Sequence, residues 1–293
     1  MYWFKKKSNL LILISPTLLV YTVFIIISVI ISIYYSLTRY SGIGKPRWVG
    51  LNNYLRLLTD TYFLTALKNS FLILFISIVI IIPLGFLLAL LFKRRLPGHS
   101  ICKATIFAPA IIAPIIVGII WIFILDPEIG ILNAFLRSVG FGHWAKQWIG
   151  SGSLDAFSFA LVFFWRQLGY QATIFLTGLN LISSDIYESA VIAGANAWQQ
   201  LWYITIPLMK HTFTIIILLV ITEVFKIFEI VLQLTNGGPN HLSEVMVTYT
   251  YTTTFKGGEY GYGMALATVT FLITLLFSVI YMVVTKQGVG ESK

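Results

Sequence analysis

The amino-acid sequence predicts an all-α membrane protein with six transmembrane helices and both termini cytoplasmic. An apolar composition, six long apolar runs and basic residues clustered at particular run ends carry that prediction. Of the 293 residues, 58% are apolar and 11% charged, where a soluble domain carries about 25% charge. Such a chain cannot cover its surface with polar groups in water, so lipid must be its solvent. The runs lie near 10–36, 70–92, 104–125, 157–181, 213–234 and 264–284. Each is long enough to cross about 30 Å of hydrocarbon at about 1.5 Å per residue. Backbone polar groups find no water at that depth, so runs of this length must be helices.

The first run follows Lys5, Lys6 and Lys7. It is too long for the apolar core of a secretory signal, and no small-x-small cleavage pattern closes it, so it reads as a retained span. Lys93, Arg94, Arg95 and Lys103 fill the short connection between the second and third runs. Both clusters belong in the cytoplasm. Arg39, Lys45, Arg47 and Arg56 in the first outer loop run the other way, so clustering and not total count sets the orientation. The outer loops are longer. The first, over 38–67, holds Trp48–Val49–Gly50–Leu51–Asn52–Asn53–Tyr54. The second, over 126–155, holds Asp126, Pro127, Gly130, Asn133, Trp144 and Trp148. The third, over 235–262, opens on Asn236–Gly237–Gly238–Pro239, a strong turn signal. No period of 20–50 residues and no low-complexity linker divides the chain, so 1–293 reads as one transmembrane domain.

A net charge of +9 suits loops facing anionic lipid better than nucleic acid. The lone Cys102 excludes an internal disulfide, and the four scattered His residues have no metal-ligand spacing. Gly42–Ile43–Gly44–Lys45 lacks the earlier Gly of a phosphate loop, and Pro46 stands where Ser or Thr is needed. Gly257–Gly258–Glu259–Tyr260–Gly261–Tyr262–Gly263 follows no strand that opens a nucleotide-binding helix. No Ser/His/Asp set and no HExxH pattern occurs, so catalytic residues and bound metal are both expected to be absent.

Transport is what remains. Ionisable groups inside spans cost about 2.5–3.5 kcal/mol each unless they face a wet cavity or a partner. Glu223, Lys226 and Glu229 recur at three-residue spacing in the fifth run, where either acid is expected to pair with Lys226 along one helix flank. They read as a polar stripe lining a translocation path or as a structural ion pair. The stretch Trp165–Arg166–Gln167–Leu168–Gly169–Tyr170–Gln171 in the fourth run combines aromatic faces with amide and guanidinium donors, with Trp165, Arg166, Gln167 and Tyr170 the candidate path residues. That mixture suits sugar rings, or an interfacial aromatic belt with a snorkelling Arg.

The segment over 183–207 falls on the cytoplasmic side. Ser183, Ser184 and Asp185 are N-cap candidates, and Asp185 with Glu188 has the spacing of a capping box. Ala190, Val191 and Ala193 make a slim helix, Gly194 permits a close turn or a tight backbone approach, and Trp198, Leu201 and Trp202 supply an apolar face. Such a helix grips a soluble partner or lies on the inner leaflet.

Glu188, Ala190, Gly194, Ile204 and Pro207 stand at the spacing of the EAA motif, and the chain resembles ABC importer permeases. Ser189 replaces the usual Ala and Ile206 the usual Leu. Val49–Gly50–Leu51–Asn52–Asn53–Tyr54, Gly130–Ile131–Leu132–Asn133, Tyr187–Glu188–Ser189–Ala190 and Asn236–Gly237–Gly238–Pro239 extend the likeness over nearly the whole length. They narrow it to carbohydrate permeases of the maltose-transporter (MalF-like) type. That resemblance implies a type I importer permease fold in the bacterial inner membrane and a second, homologous permease subunit. It also implies an external solute-binding protein, and two cytoplasmic ATPase subunits that bind ATP and Mg so that this chain needs no cofactor. It further implies that Glu188, Ser189, Ala190, Gly194, Ile204 and Pro207 couple to the ATPase. A sugar or oligosaccharide is the expected solute. Glycerol phosphate within the same family, and an ion-coupled secondary transporter outside it, are the alternatives.

Overall fold

The computed structural model describes residues 7–94 and 98–285; Lys5, Lys6 and Arg95 of the basic clusters lie outside them. Helices α1 (Lys7–Tyr21) and α2 (Ile27–Ser36) are joined without a break by one π-helical turn and form the first span. A hairpin follows, β1 (Thr38–Arg39) against β2 (Arg47–Trp48), antiparallel with Thr38 opposite Trp48. After it come α3 (Asn52–Thr59), α4 (Thr61–Lys93), α5 (His99–Ile111), α6 (Pro114–Leu125) and α7 (Ile131–Ser138). The chain continues through α8 (Asp155–Asn180), α9 (Ser184–Ile192), α10 (Ala197–Gln200), α11 (Ile206–Leu208) and α12 (Lys210–Val224). It ends in α13 (Glu229–Leu234), α14 (Met246–Tyr251) and α15 (Tyr260–Val284).

By contact the chain divides into two units. One contains the residues up to Asp60 with Thr250–Leu272, and the other Thr61–Tyr249 with the residues from Ile273 on. In the first unit the outer-loop motif is a fastening. Asn53 Nδ2 donates to the carbonyls of Ser36 (2.7 Å) and Thr38 (2.9 Å), and Tyr54 shares a 2.6 Å hydrogen bond with Ser36. The first of these bonds satisfies the Ser36 carbonyl, which the end of α2 leaves without an intrahelical donor, and the others tie the hairpin and the Ser36 side chain to α3.

The second unit is built around α4 and α8, whose apolar residues Ile73, Ile81, Phe159 and Phe175 are fully buried. Phe86, Phe175 and Phe213 form an aromatic cluster that ties in α12, with centroids 4.9–5.6 Å apart. Gly169 lets α8 cross α5 at backbone contact: a Cβ there would lie 2.1 Å from the Ile106 carbonyl oxygen.

Among the described residues three helical stretches are long and apolar enough to span a membrane, over Leu13–Ser36, Thr61–Lys93 and Tyr260–Val284. The expected third span is not straight. Ser100–Ile111 and Pro114–Leu125 meet at 103°. Proline pushes the residue before it out of helical geometry and lacks an N–H, and Ile112 and Ala113 are accordingly extended (ψ 134° and 135°). The expected fifth span, 213–234, is entered through a bend and cut short at its far end. Ala197–Leu208 and Lys210–Val224 are bent by 64°, and the helix stops at Val224 instead of reaching 234. α8 has the length for the fourth span at 26 residues, but Arg166, Gln167 and Gln171 make it less apolar than the others.

Candidate functional site

The segment after α8 is a capped helical hairpin with almost no core of its own. Ser183 is the N-cap of α9, accepting from the Asp185 N–H at 3.3 Å. The expected Asp185–Glu188 capping box is not formed, because Asp185 already lies inside the first turn and its backbone N–H is taken by Ser183. A true capping box stands instead at Asn196 and Gln199, which exchange side-chain-to-backbone bonds of 2.9 and 2.8 Å at the start of α10.

α9 closes in a Schellman turn. Gly194 N–H donates to Val191 O (2.9 Å) and Ala195 N–H to Ala190 O (2.9 Å). Gly194 has φ +82°, and a Cβ on it would meet nothing within 4 Å. The glycine is thus needed for its left-handed backbone, and among the described residues no other backbone approaches it. Glu188, Ser189, Gly194 and Pro207 are exposed and Ala190 and Ile204 half-buried. Around them Ile192 is 88% and Trp198 67% exposed. Tyr187 reaches back to share a 3.0 Å hydrogen bond with Thr205, so α9 is braced to the π-helical turn over Leu201–Thr205. Pro207 lies in the first turn of α11, and the chain bends at Met209 into α12.

In the spans, Trp165 packs edge-on to Trp121 of α6 with centroids 5.6 Å apart. Arg166 is half-buried, Gln167 buried and Tyr170 exposed. Gln171, which ends that stretch, is 1% exposed with neither amide atom hydrogen-bonded; Arg166 Nε and Trp121 Nε1 are buried without partners as well. Buried polar groups without partners cost about 1–3 kcal/mol each. On α6 and α8, Trp121 Nε1, Arg166 Nε and Gln171 Nε2 are therefore free to donate hydrogen bonds, and Gln171 Oε1 to accept them, from something outside the chain.

The Glu223–Lys226–Glu229 stripe does not exist on one helix. α12 ends at Val224, and α13 begins at Glu229. No ion pair joins Lys226 to either acid among the described residues. Unwinding buries Phe225 and Ile227 while leaving Lys226 exposed between them, and core packing outweighs the i,i+3 pairing. Glu223 is half-buried and Glu229 exposed.

The turn over Asn236, Gly237, Gly238 and Pro239 runs through left-handed backbone at Asn236 (φ 50°) and Gly237 (φ 80°). Its anchor was not legible in the motif. Asn69 of α4 donates to the carbonyls of Leu242 (2.8 Å) and Glu244 (2.9 Å), and Ser243 donates to Gly238 O at 2.6 Å. Glu244 is 1% exposed and meets His241 Nδ1 at 3.1 Å. In the second outer loop Asn133 plays the same part, donating to Pro127 O and Lys146 O and accepting from Trp148 Nε1. Asp126 accepts from the backbone N–H groups of Glu128 (2.8 Å) and Ile129 (2.9 Å), which hold its carboxyl below the ordinary range.

Comparison with known proteins agrees with this geometry. Residues 81–287 match the family described as binding-protein-dependent transport system inner membrane component. The probable ABC transporter permease protein YurN of Bacillus subtilis (strain 168) is 32% identical over 276 residues, covering 93% of this chain and 94% of that protein. The probable starch degradation products transport system permease protein AmyD of Thermoanaerobacterium thermosulfurigenes is 30% identical, covering 97% and 96%. A solved bacterial alginate ABC transporter, in complex with alginate pentasaccharide-bound periplasmic protein, contains a chain that superposes with a TM-score of 0.81. That chain is 19% identical, with 97% of each chain covered.

Proposed function

The chain belongs to the family of binding-protein-dependent transport system inner membrane components, and on that premise we propose that it forms half of the path of an ATP-driven sugar or oligosaccharide importer. It is the multi-pass inner-membrane permease subunit of an ABC transporter and not the enzyme of that system. In our reading the whole chain acts as one permease domain beside a second, homologous permease. Two cytoplasmic ATPases bind the ATP and Mg, and an external binding protein delivers the solute.

The observation that carries the reading is the hairpin over 183–207. Its turns are fixed by caps, yet Ile192 and Trp198 are left in the open (88% and 67% exposed). An ordered helix with an uncovered apolar face fits a groove on a soluble partner, and closure of an ATPase dimer would pull on it. A docked helix transmits that motion only if its contacts differ between the two states.

A carbohydrate is supported by AmyD, named for starch degradation products, and by the alginate transporter. It is also supported by Trp165, Tyr170 and the unpartnered amide of Gln171, since sugars stack on rings and hydrogen-bond through hydroxyls. The unpartnered Nε of Arg166 favours one second reading, glycerol phosphate or another phosphorylated solute. The test is uptake of labelled maltodextrin into proteoliposomes carrying the complete complex, with ATP inside and binding protein outside. Vanadate is expected to abolish it. Uptake that persists without ATP and follows the membrane potential refutes the proposal.

A further inference from the structure

Transport leaves one cavity without a role. At the end of α4 a space of about 370 Å³ is lined by Lys93 and Arg94, by Tyr187 of α9, and by Trp198, Gln200 and Thr205 of the hairpin. Lys93 directly follows the apolar residues Leu90, Leu91 and Phe92, so it stands where hydrocarbon gives way to headgroups. Its Nζ donates to Leu179 O at 3.1 Å and lies 4.8 Å from the Tyr187 ring centroid. That uses one ammonium donor of three. The Arg94 guanidinium has no partner among the described residues. No Asp or Glu lines the cavity; the nearest in sequence to its lining are Asp185 and Glu188, on α9. Trp198 is exposed and meets Trp202 edge-on at 5.7 Å.

Two cations without a counter-charge, spare N–H donors and amphipathic rings at the membrane boundary match a phosphodiester headgroup. Its oxygens accept charge-assisted hydrogen bonds, and its glycerol and acyl junction lies against aromatic rings. We propose that this cavity binds the phosphate of an anionic phospholipid of the inner leaflet. The lipid bridges the end of α4 to the hairpin, so that the anionic lipid content of the membrane adjusts how firmly the hairpin is held.

The test reads lipid on the intact complex, independently of transport. The complex is placed in phosphatidylcholine nanodiscs with dilute phosphatidylglycerol, and the phosphatidylglycerol retained is counted by native mass spectrometry. Lys93→Gln and Arg94→Gln are each expected to weaken retention about fivefold, and the double variant about 25-fold, at roughly the free energy of one headgroup-level charge apiece. Lys93→Arg, which keeps the charge, retains the lipid. If Lys93→Gln fails to insert, Arg94→Gln alone decides, since its side chain is exposed and unpaired. Equal retention by wild type and the charge-removing variants overturns the proposal. Displacement by excess inorganic phosphate overturns it in favour of free phosphate. Loss of the ATPase with phosphatidylglycerol retention unchanged overturns it in favour of an acidic side chain of the ATPase.

Discussion

Gly194 separates two explanations for a glycine in the turn that closes α9. Its φ of +82° lies in the left-handed region, while the space around a Cβ is empty within this chain. The cost of a substitution should therefore come from the backbone and not from a clash. A left-handed conformation costs an ordinary residue about 1–2 kcal/mol, Asn less because its side chain bonds locally, and a β-branched residue more. A penalty of about 1–2 kcal/mol lowers the closed-to-open ratio of the Schellman turn roughly 5- to 30-fold. Gly194→Asn should then keep ATP hydrolysis stimulated by solute-loaded binding protein near the wild-type rate. Gly194→Val should reduce it, approaching that factor where the closed and open turns are near balance in wild type. The assay is phosphate release from proteoliposomes, with assembly checked by size exclusion. If Asn is as damaging as Val, the space beside Gly194 is filled in the complex and the steric explanation replaces ours. If Val is fully active, the turn is not needed for coupling.

Gly169→Val should lower the thermal midpoint of the purified chain sharply, because its Cβ would meet Ile106 O at 2.1 Å where backbone cannot yield; an unchanged midpoint removes the α5–α8 crossing from the account. Asn69→Ala takes donors from two carbonyls and should cost about 1–3 kcal/mol, read as a lower unfolding temperature with loss of uptake. Trp165→Ala or Glu229→Ala should reduce uptake while the ATPase remains bound, and unchanged kinetics in both would return those residues to a structural role. The Asp126 carboxyl, held low by two N–H donors, contributes order to its loop above the unfolded pKa and loses it as pH falls through the folded value. Proteolysis of that loop should rise in acid for wild type and become insensitive to pH in Asp126→Asn.

The apolar runs, the hairpin over 183–207 and the glycine-rich turn after α13 were all legible in the chain. Each depends on composition within a few residues, and hydrocarbon enforces helices wherever apolar residues persist. The break at Ile112–Ala113 was half legible, since Pro114 announces it, but 103° is set by how α6 and α13 pack. The unwinding after Val224 has neither Pro nor Gly to signal it, and i,i+3 spacing argued for a continuous charged stripe. There the choice belonged to Phe225 and Ile227, whose burial requires neighbours from far along the chain. Gln171 stood in the stretch read as suited to sugars, but its burial without partners was hidden for the same reason. A glutamine in an apolar run has no assigned face until α8 is set against its neighbours, and only then are its unpartnered atoms apparent. Local patterning thus decided which segments are helices and which one breaks away as a short, polar-flanked hairpin. Packing between distant segments decided where helices break, which polar atoms go unpaired, and where two cations come to line one cavity.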